Sequence, residues 1–297
     1  MVVVKPKQKT VKNDVIFHGI GVHSGLPVSL TIRPNFSGSG IVFHHESFQT
    51  ETISIGTVVP ENAMHATVIK QEHWLVSTIE HLMATFYALG VTHAQVQVAS
   101  SAAAVAEVPI LDGSALPFVH GLLEIGLQEL PEDMRYLTPK ETIVFSDEHG
   151  RILELASAAA VEGGRDLGLY VDYTADFSHL LLGTSHFAGQ ITPEFFINNI
   201  APARTFGFLE QLPLLRQHGL ARGSSLGNTV VISNEEFLNE RRFADECVRH
   251  KVLDLLGDLA LLGKPLAGKV RAVKTGHNFN RLVIEHHLSN PGEWELI

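Results

Sequence analysis

The sequence predicts a mixed fold of strands and helices in two halves of similar element order. Three observations carry this expectation. Apolar residues alternate with period two in short runs, as in Val28, Leu30 and Ile32 against Ser29, Thr31 and Arg33, the pattern of a half-buried strand. Elsewhere the period is helical: Ile79, Leu82, Met83, Phe86 and Leu89 line one side of one segment, and Val252, Leu253, Leu255, Leu256 and Leu259 form the stripe of another. The polar, proline-containing stretch Leu130-Pro131-Glu132-Asp133 then divides the chain into 1–130 and 131–297. A length of 297 residues suits two domains or one large one.

In the first half, Val15 to Arg33 reads as two strands around a turn rich in glycine (Gly19, Gly21, Gly25). No helical pattern opens after Gly19-Ile20-Gly21, which argues against a phosphate-binding loop. His23 lies in that turn, either as a plain loop histidine or near a site. Ile41 to His45 is a further strand. A helix begins near Ser77 and ends at Gly90, a residue suited to a C-terminal cap. Ser77-Thr78-Ile79-Glu80 has the form of a capping box, in which Glu80 would only bond the backbone. The alternative is that Glu80-His81 sets a potential base beside a potential ligand at a helix start. Thr92 to Val98 alternates as a strand, and Ala99 to Ala106 reads as a loop or insertion. Ser114 is placed to cap a helix over about 115–125.

In the second half, Glu141 to Phe145, Ile152 to Ala156 and Leu167 to Tyr173 are predicted strands, and Thr192-Pro193 opens a helix. A loose, leucine-rich stretch to Ser225 precedes the strand Thr229 to Ile232. The helix bearing His250 runs to about Leu262, stopped by Gly263 and Pro265. Val270 to Lys274 is a strand, and Arg281 to His287 closes the chain as a helix.

Composition narrows the function. Hydrophobic residues make up 45% and charged residues 18%, as in a globular protein with ample core, and the net charge of -10 argues against nucleic-acid or anionic-membrane partners. No run approaches the roughly 20 apolar residues of a membrane span, so stable membrane insertion is not expected. The single cysteine, Cys247, permits no intrachain disulfide and points to a reducing, cytoplasmic setting. It is read as a buried structural thiol.

His250, Asp254 and Asp258 recur at i, i+4 and i+8 along one helix, aiming an imidazole and two carboxylates in one direction. Either His250 and Asp254 form an exposed hydrogen-bonded pair, or they bind a divalent metal, whose catalytic sites take three protein ligands. His81, His250 and Asp254 would supply that set from both halves, with Glu80 as the base that takes a proton from water. Three rival signatures are missing: the chain has no H-E-x-x-H, cysteine pair or Walker loop.

Ser77-Thr78-Ile79-Glu80-His81-Leu82, Pro109-Ile110-Leu111-Asp112-Gly113-Ser114-Ala115, Ala203-Arg204-Thr205-Phe206-Gly207-Phe208, His250-Lys251-x-x-Asp254-x-x-Gly257-Asp258 and Thr275-Gly276-His277 resemble, in order, the motifs of the UDP-3-O-acyl-N-acetylglucosamine deacetylases, zinc amidases of lipid A synthesis. With Gly19 to Gly25 the resemblance spans nearly the whole chain. It implies two α+β domains of like topology with the active site between them. It also implies zinc, with iron(II) an acceptable substitute, on His81, His250 and Asp254; Glu80 as base; and His277 as second acid/base group, oriented by Asp258. Thr205 would donate to the oxyanion and Lys251 would be a cation of the site. The implied partner is a small UDP-acyl-sugar, with no obligate protein partner evident. Lys140, Lys274 and Arg204 would meet its anionic part, and Phe177 would offer it an aromatic ring. Phe206, Gly207, Phe208 and Leu212 would line the acyl passage.

The chain departs from the family pattern at Leu180, where proline is usual, in the insert from Ser101 to Ala106, and at His65. With His18, His23, His44, His45 and His65 upstream, a second, inhibitory metal site is conceivable but not expected. Two other readings share these residues: an amidase acting on another N-acetylated sugar, and a non-catalytic protein binding metal or a nucleotide sugar.

Overall fold

Val28, Leu30 and Ile32 are buried as their alternation requires, in a strand Pro27–Arg33 that pairs with Val15–Ile20 on one side and Val91–Ser100 on the other. The computed structural model describes residues 6–63, 65–100, 104–160 and 168–297. Among them, Leu127–Asp133, Lys7–Val11, Ile41–His45 and Thr52–Ser54 complete a seven-stranded sheet. A second, five-stranded sheet runs in the order Ile143–Ser146, Ile152–Ser157, Gly268–Val273, Leu169–Asp176, Thr184–Gln190. Smaller pairings join Phe206–Phe208 to Val230–Ile232, Leu137–Pro139 to Trp294–Leu296, and Val68–Lys70 to Leu75–Ser77 and Val105–Glu107.

Six α-helices lie among the described residues: α1 (Glu80–Leu89), α2 (Leu116–Ile125), α3 (Pro193–Asn199), α4 (Leu212–Gln217), α5 (Glu246–Leu259) and α6 (His277–Ser289). The fold is α+β, as predicted. The apolar stripes of α1 and α5, Leu82, Met83 and Phe86 against Val252, Leu253 and Leu256, are fully buried in one continuous core. Each such side chain contributes roughly 1.5–3 kcal/mol by leaving water, which fixes the helix pair that carries the site. Among the described residues, no helix is long and apolar enough to cross a membrane.

Several predicted elements differ in detail. Leu130 to Asp133, read from the sequence as the boundary between the halves, belongs to a strand paired antiparallel with Lys7–Val11. That strand ends its sheet, so Pro131 can lack an amide without breaking an inner ladder. The run 99–106 is loop only in part: Ala99 and Ser100 end one strand and Val105–Glu107 forms another, while 101–103, like Leu167, lie outside the described residues. The leucine-rich stretch contains α4, and the last helix starts at His277, four residues before its predicted start at Arg281, and is followed by the strand Trp294–Leu296.

Candidate metal centre and active site

The capping box does not form. Ser77 ends a strand, its hydroxyl faces the Ala106 carbonyl, and Thr78 turns the chain with φ 57° before α1 begins at Glu80. Freed from capping, the Glu80 carboxylate accepts instead from the Thr67 amide at 3.0 Å. α5 crosses at Gly257, where a Cβ would stand 2.1 Å from the Glu80 carbonyl oxygen. Only glycine allows the first turn of α1 this close to the face of α5 that carries His250, Asp254 and Asp258.

His81, His250 and Asp254 are buried, and their ligand atoms lie within 4.8 Å of one another. The two imidazoles meet edge to face at 4.9 Å, and His250 Nε2 is 3.4 Å from Asp254 Oδ1. The Ala203 carbonyl, 3.0 Å from His250 Nδ1, places the proton there and leaves Nε2 as a donor. Burial pushes both imidazole pKa values down, that of His81 to about 3, so both rings are neutral. Burial opposes ionisation of Asp254, but Lys251, His250 and His277 outweigh it and hold the carboxyl well below its usual range. Lys251 Nζ donates to Asp254 Oδ2 at 2.7 Å. Two neutral imidazoles and an ionised carboxylate fit a divalent cation such as zinc. The exposed-pair alternative for His250 and Asp254 is set aside by their burial.

The acid and base groups stand against this cluster. Burial is the main force raising Glu80 to about 7, eased by His277 and reinforced by Asp254. For His277, burial lowers the pKa, but Asp258, by charge and hydrogen bond, with Asp254 and Glu80, raises it to about 9. His277 Nδ1 lies 3.0 Å from each Asp258 oxygen. Asn280 donates to the same carboxylate at 2.7 Å, and the Thr67 hydroxyl donates to it as well. Near neutral pH the site thus offers a carboxylate able to take a proton and an imidazolium able to give one.

These groups open on a cavity of about 570 Å³. Thr205, Phe206, Gly207, Phe208, Leu212, Lys251 and Lys274 line it, and so do His23 and His65. Three residues assigned to substrate are placed elsewhere. Lys140 donates its ammonium to the Gly292 carbonyl at 2.7 Å and is not part of the lining. Arg204 is buried, with its guanidinium held by Glu246 at 2.9 Å and the Glu240 carbonyl at 2.6 Å, and is not part of the lining. Phe177 sits behind the wall, edge to face with Phe206 at 5.4 Å. Leu180 is 93% exposed, in the turn where the family pattern differs.

Sequence reasoning missed Thr67, Asn280 and Arg151. Arg151 lines the cavity, with its guanidinium over the Phe279 ring at 4.9 Å. None of the three carries a local sequence signal. Among the described residues, His81, His250 and Asp254 form the one metal-type cluster, and no second gathers around the upstream histidines. Cys247 is buried and outside the cluster, and burial pushes its thiol up to about 12.

Fold and site together define a class: an α+β protein with a buried histidine–histidine–aspartate donor set beside a perturbed acid and base. Comparison with known proteins gives the family. Residues 8–289 match the family described as UDP-3-O-acyl N-acetylglycosamine deacetylase, and the chain belongs to it. A UDP-3-O-acyl-N-acetylglucosamine deacetylase of Geotalea uraniireducens (strain Rf4) is 38% identical over 293 residues, 98% of this chain and 91% of its own length. One from Syntrophotalea carbinolica is 37% identical over 294 residues, covering 98% and 90%. One from Leptospira biflexa is 37% identical over 273 residues, covering 91% and 86%.

Proposed function

We propose that this protein is a metal-dependent hydrolase that removes the N-acetyl group from UDP-3-O-acyl-N-acetylglucosamine, releasing acetate, in lipid A biosynthesis. The observation that carries the reading is the neutral His81, neutral His250 and ionised Asp254 sharing one cavity with Glu80 and His277. His81, His250 and Asp254 would hold zinc, or iron(II), which the same donors accept. Such a cation, when bound, lowers the pKa of a water to about 7 and polarises the amide carbonyl.

The chain's own residues supply the rest. Glu80 takes the proton of the attacking water, and the Thr205 hydroxyl donates to the oxygen on which charge develops, a donor worth roughly 3 kcal/mol in comparable sites. His277, held protonated by Asp258, gives a proton to the leaving amine, so that acetamide and water become acetate and free amine. Lys251 secures the Asp254 carboxylate as an ion. Phe206, Phe208 and Leu212 form an apolar wall for the acyl chain, and Lys274 offers charge to the substrate's anionic part. The test is acetate release from UDP-3-O-acyl-N-acetylglucosamine by metal-replete protein, with elemental analysis of the bound ion. Equal turnover of UDP-N-acetylglucosamine lacking the acyl chain would point to another N-acetylated substrate, and no turnover at all would leave a binding protein.

A further inference from the structure

Thr67 stands where the surroundings of the two acid/base groups meet. It lies in the segment just before the strand Val68–Lys70, is 2% exposed, and belongs to none of the motifs on which the site was recognised. Its backbone amide donates to Glu80 Oε2 at 3.0 Å. Its hydroxyl donates to Asp258 Oδ1, and the same oxygen lies 3.0 Å from His277 Nδ1. The proton of the hydroxyl is committed to the carboxylate, so its lone pair faces the ring N–H of His277. The imidazole is therefore gripped at one nitrogen by three oxygens: two of Asp258 and one of Thr67.

The single Nδ1–H is shared among these oxygens, which fix its direction and so bias where Nε2 points. Asn280 holds Asp258 from α6, on one side; Thr67 holds it from the other half of the chain. Without the hydroxyl, the buried Asp258 loses a donor, and the ring can swing about its remaining contacts.

We infer that Thr67 is a positioning residue that registers the proton donor His277 against the proton acceptor Glu80, its hydroxyl serving one and its amide the other. This rests on the deacetylase reading above for its kinetic consequence, though the geometry stands apart from it. Thr67 touches no substrate in this scheme; it acts through His277 and Glu80.

Thr67→Val keeps the amide and the side-chain shape and removes the hydroxyl alone. In zinc-loaded enzyme, acetate release by Thr67→Val is expected to show kcat reduced about 10- to 100-fold, with KM and bound zinc per chain as in the wild type. Thr67→Ser, which puts the hydroxyl back, recovers most of the lost rate. A Thr67→Val enzyme with wild-type kcat, or one whose loss lies in KM or metal content, overturns the inference. A second measurement needs no turnover: the imidazole N–H proton resonance of His277 is expected to move in Thr67→Val and return in Thr67→Ser, and an unmoved resonance overturns the inference. Wild-type protein that releases no acetate would end the deacetylase reading, while the resonance still decides the role of Thr67.

Discussion

Glu80 is buried and His277 largely so, yet one is poised to accept a proton and the other to give one. Desolvation alone raises a carboxyl and lowers an imidazole; for His277 the charge of Asp258 reverses that tendency. The working forms are ionised Glu80 and protonated His277. Turnover should therefore rise with pH as Glu80 loses its proton near 7, and fall as His277 loses its own near 9, a bell-shaped kcat profile. A divalent cation beside Glu80 favours its carboxylate and moves the acid limb lower, which profiles of zinc-loaded enzyme would show. Glu80→Gln and His277→Ala should each keep the metal, by elemental analysis, and lose about 10²- to 10⁴-fold in kcat. Near-normal turnover would remove that residue from the mechanism. Arg204, expected at the substrate, instead neutralises a carboxylate with 0% exposure. Glu246→Ala should then cost roughly 3–5 kcal/mol in denaturant unfolding by stranding a buried guanidinium. His250 and Asp254 were legible because helical spacing puts them on one face. Thr67 was not, because its role is a contact across 191 residues of sequence. Lys140 lies outside the cavity lining, and a lone lysine carries no local mark of which surface it will face.

At the scale of elements, the site depends on how closely α1 and α5 approach. Gly257→Ala puts a methyl where the Glu80 carbonyl stands, so the helices must part or the first turn of α1 must shift. Overpacking of this kind costs about 1–3 kcal/mol, and a shift at Glu80 and His81 should lower metal affinity and kcat together. Metal titration beside thermal unfolding checks both, and a variant matching the wild type in both would show that the contact is slack. Helices with strong apolar stripes, and strands with clean alternation such as Pro27–Arg33, were readable because the signal is local. The strand Thr184–Gln190 was not predicted: its residues, TSHFAGQ, lack an apolar repeat, and its order comes from antiparallel pairing with Leu169–Asp176. The capping box failed for a tertiary reason too, since the sheet claims Ser77 and Thr67 claims Glu80.

For the whole molecule, the donor set is divided: His81 comes from the half that builds the seven-stranded sheet, His250 and Asp254 from the half that builds the five-stranded one. A metal binding all three bridges α1 and α5, so it binds the folded chain far better than the unfolded one. Free metal at a hundredfold its Kd should add about 2.7 kcal/mol to unfolding. Chelation should abolish acetate release and lower Tm, and zinc should restore both. An unchanged Tm on chelation would mean the ion contributes nothing to holding the two helices together.

Cys247 turns this architecture into a built-in clock. The thiol lies one turn from His250, is 3% exposed and is kept protonated by its surroundings, so a soluble disulfide reagent can reach it only when α5 leaves its bed. With no other sulfhydryl in the chain to confuse the reading, the pace of labelling reports how often the wall of the site opens. Ligands that seal the cavity can be ranked by how far they slow it.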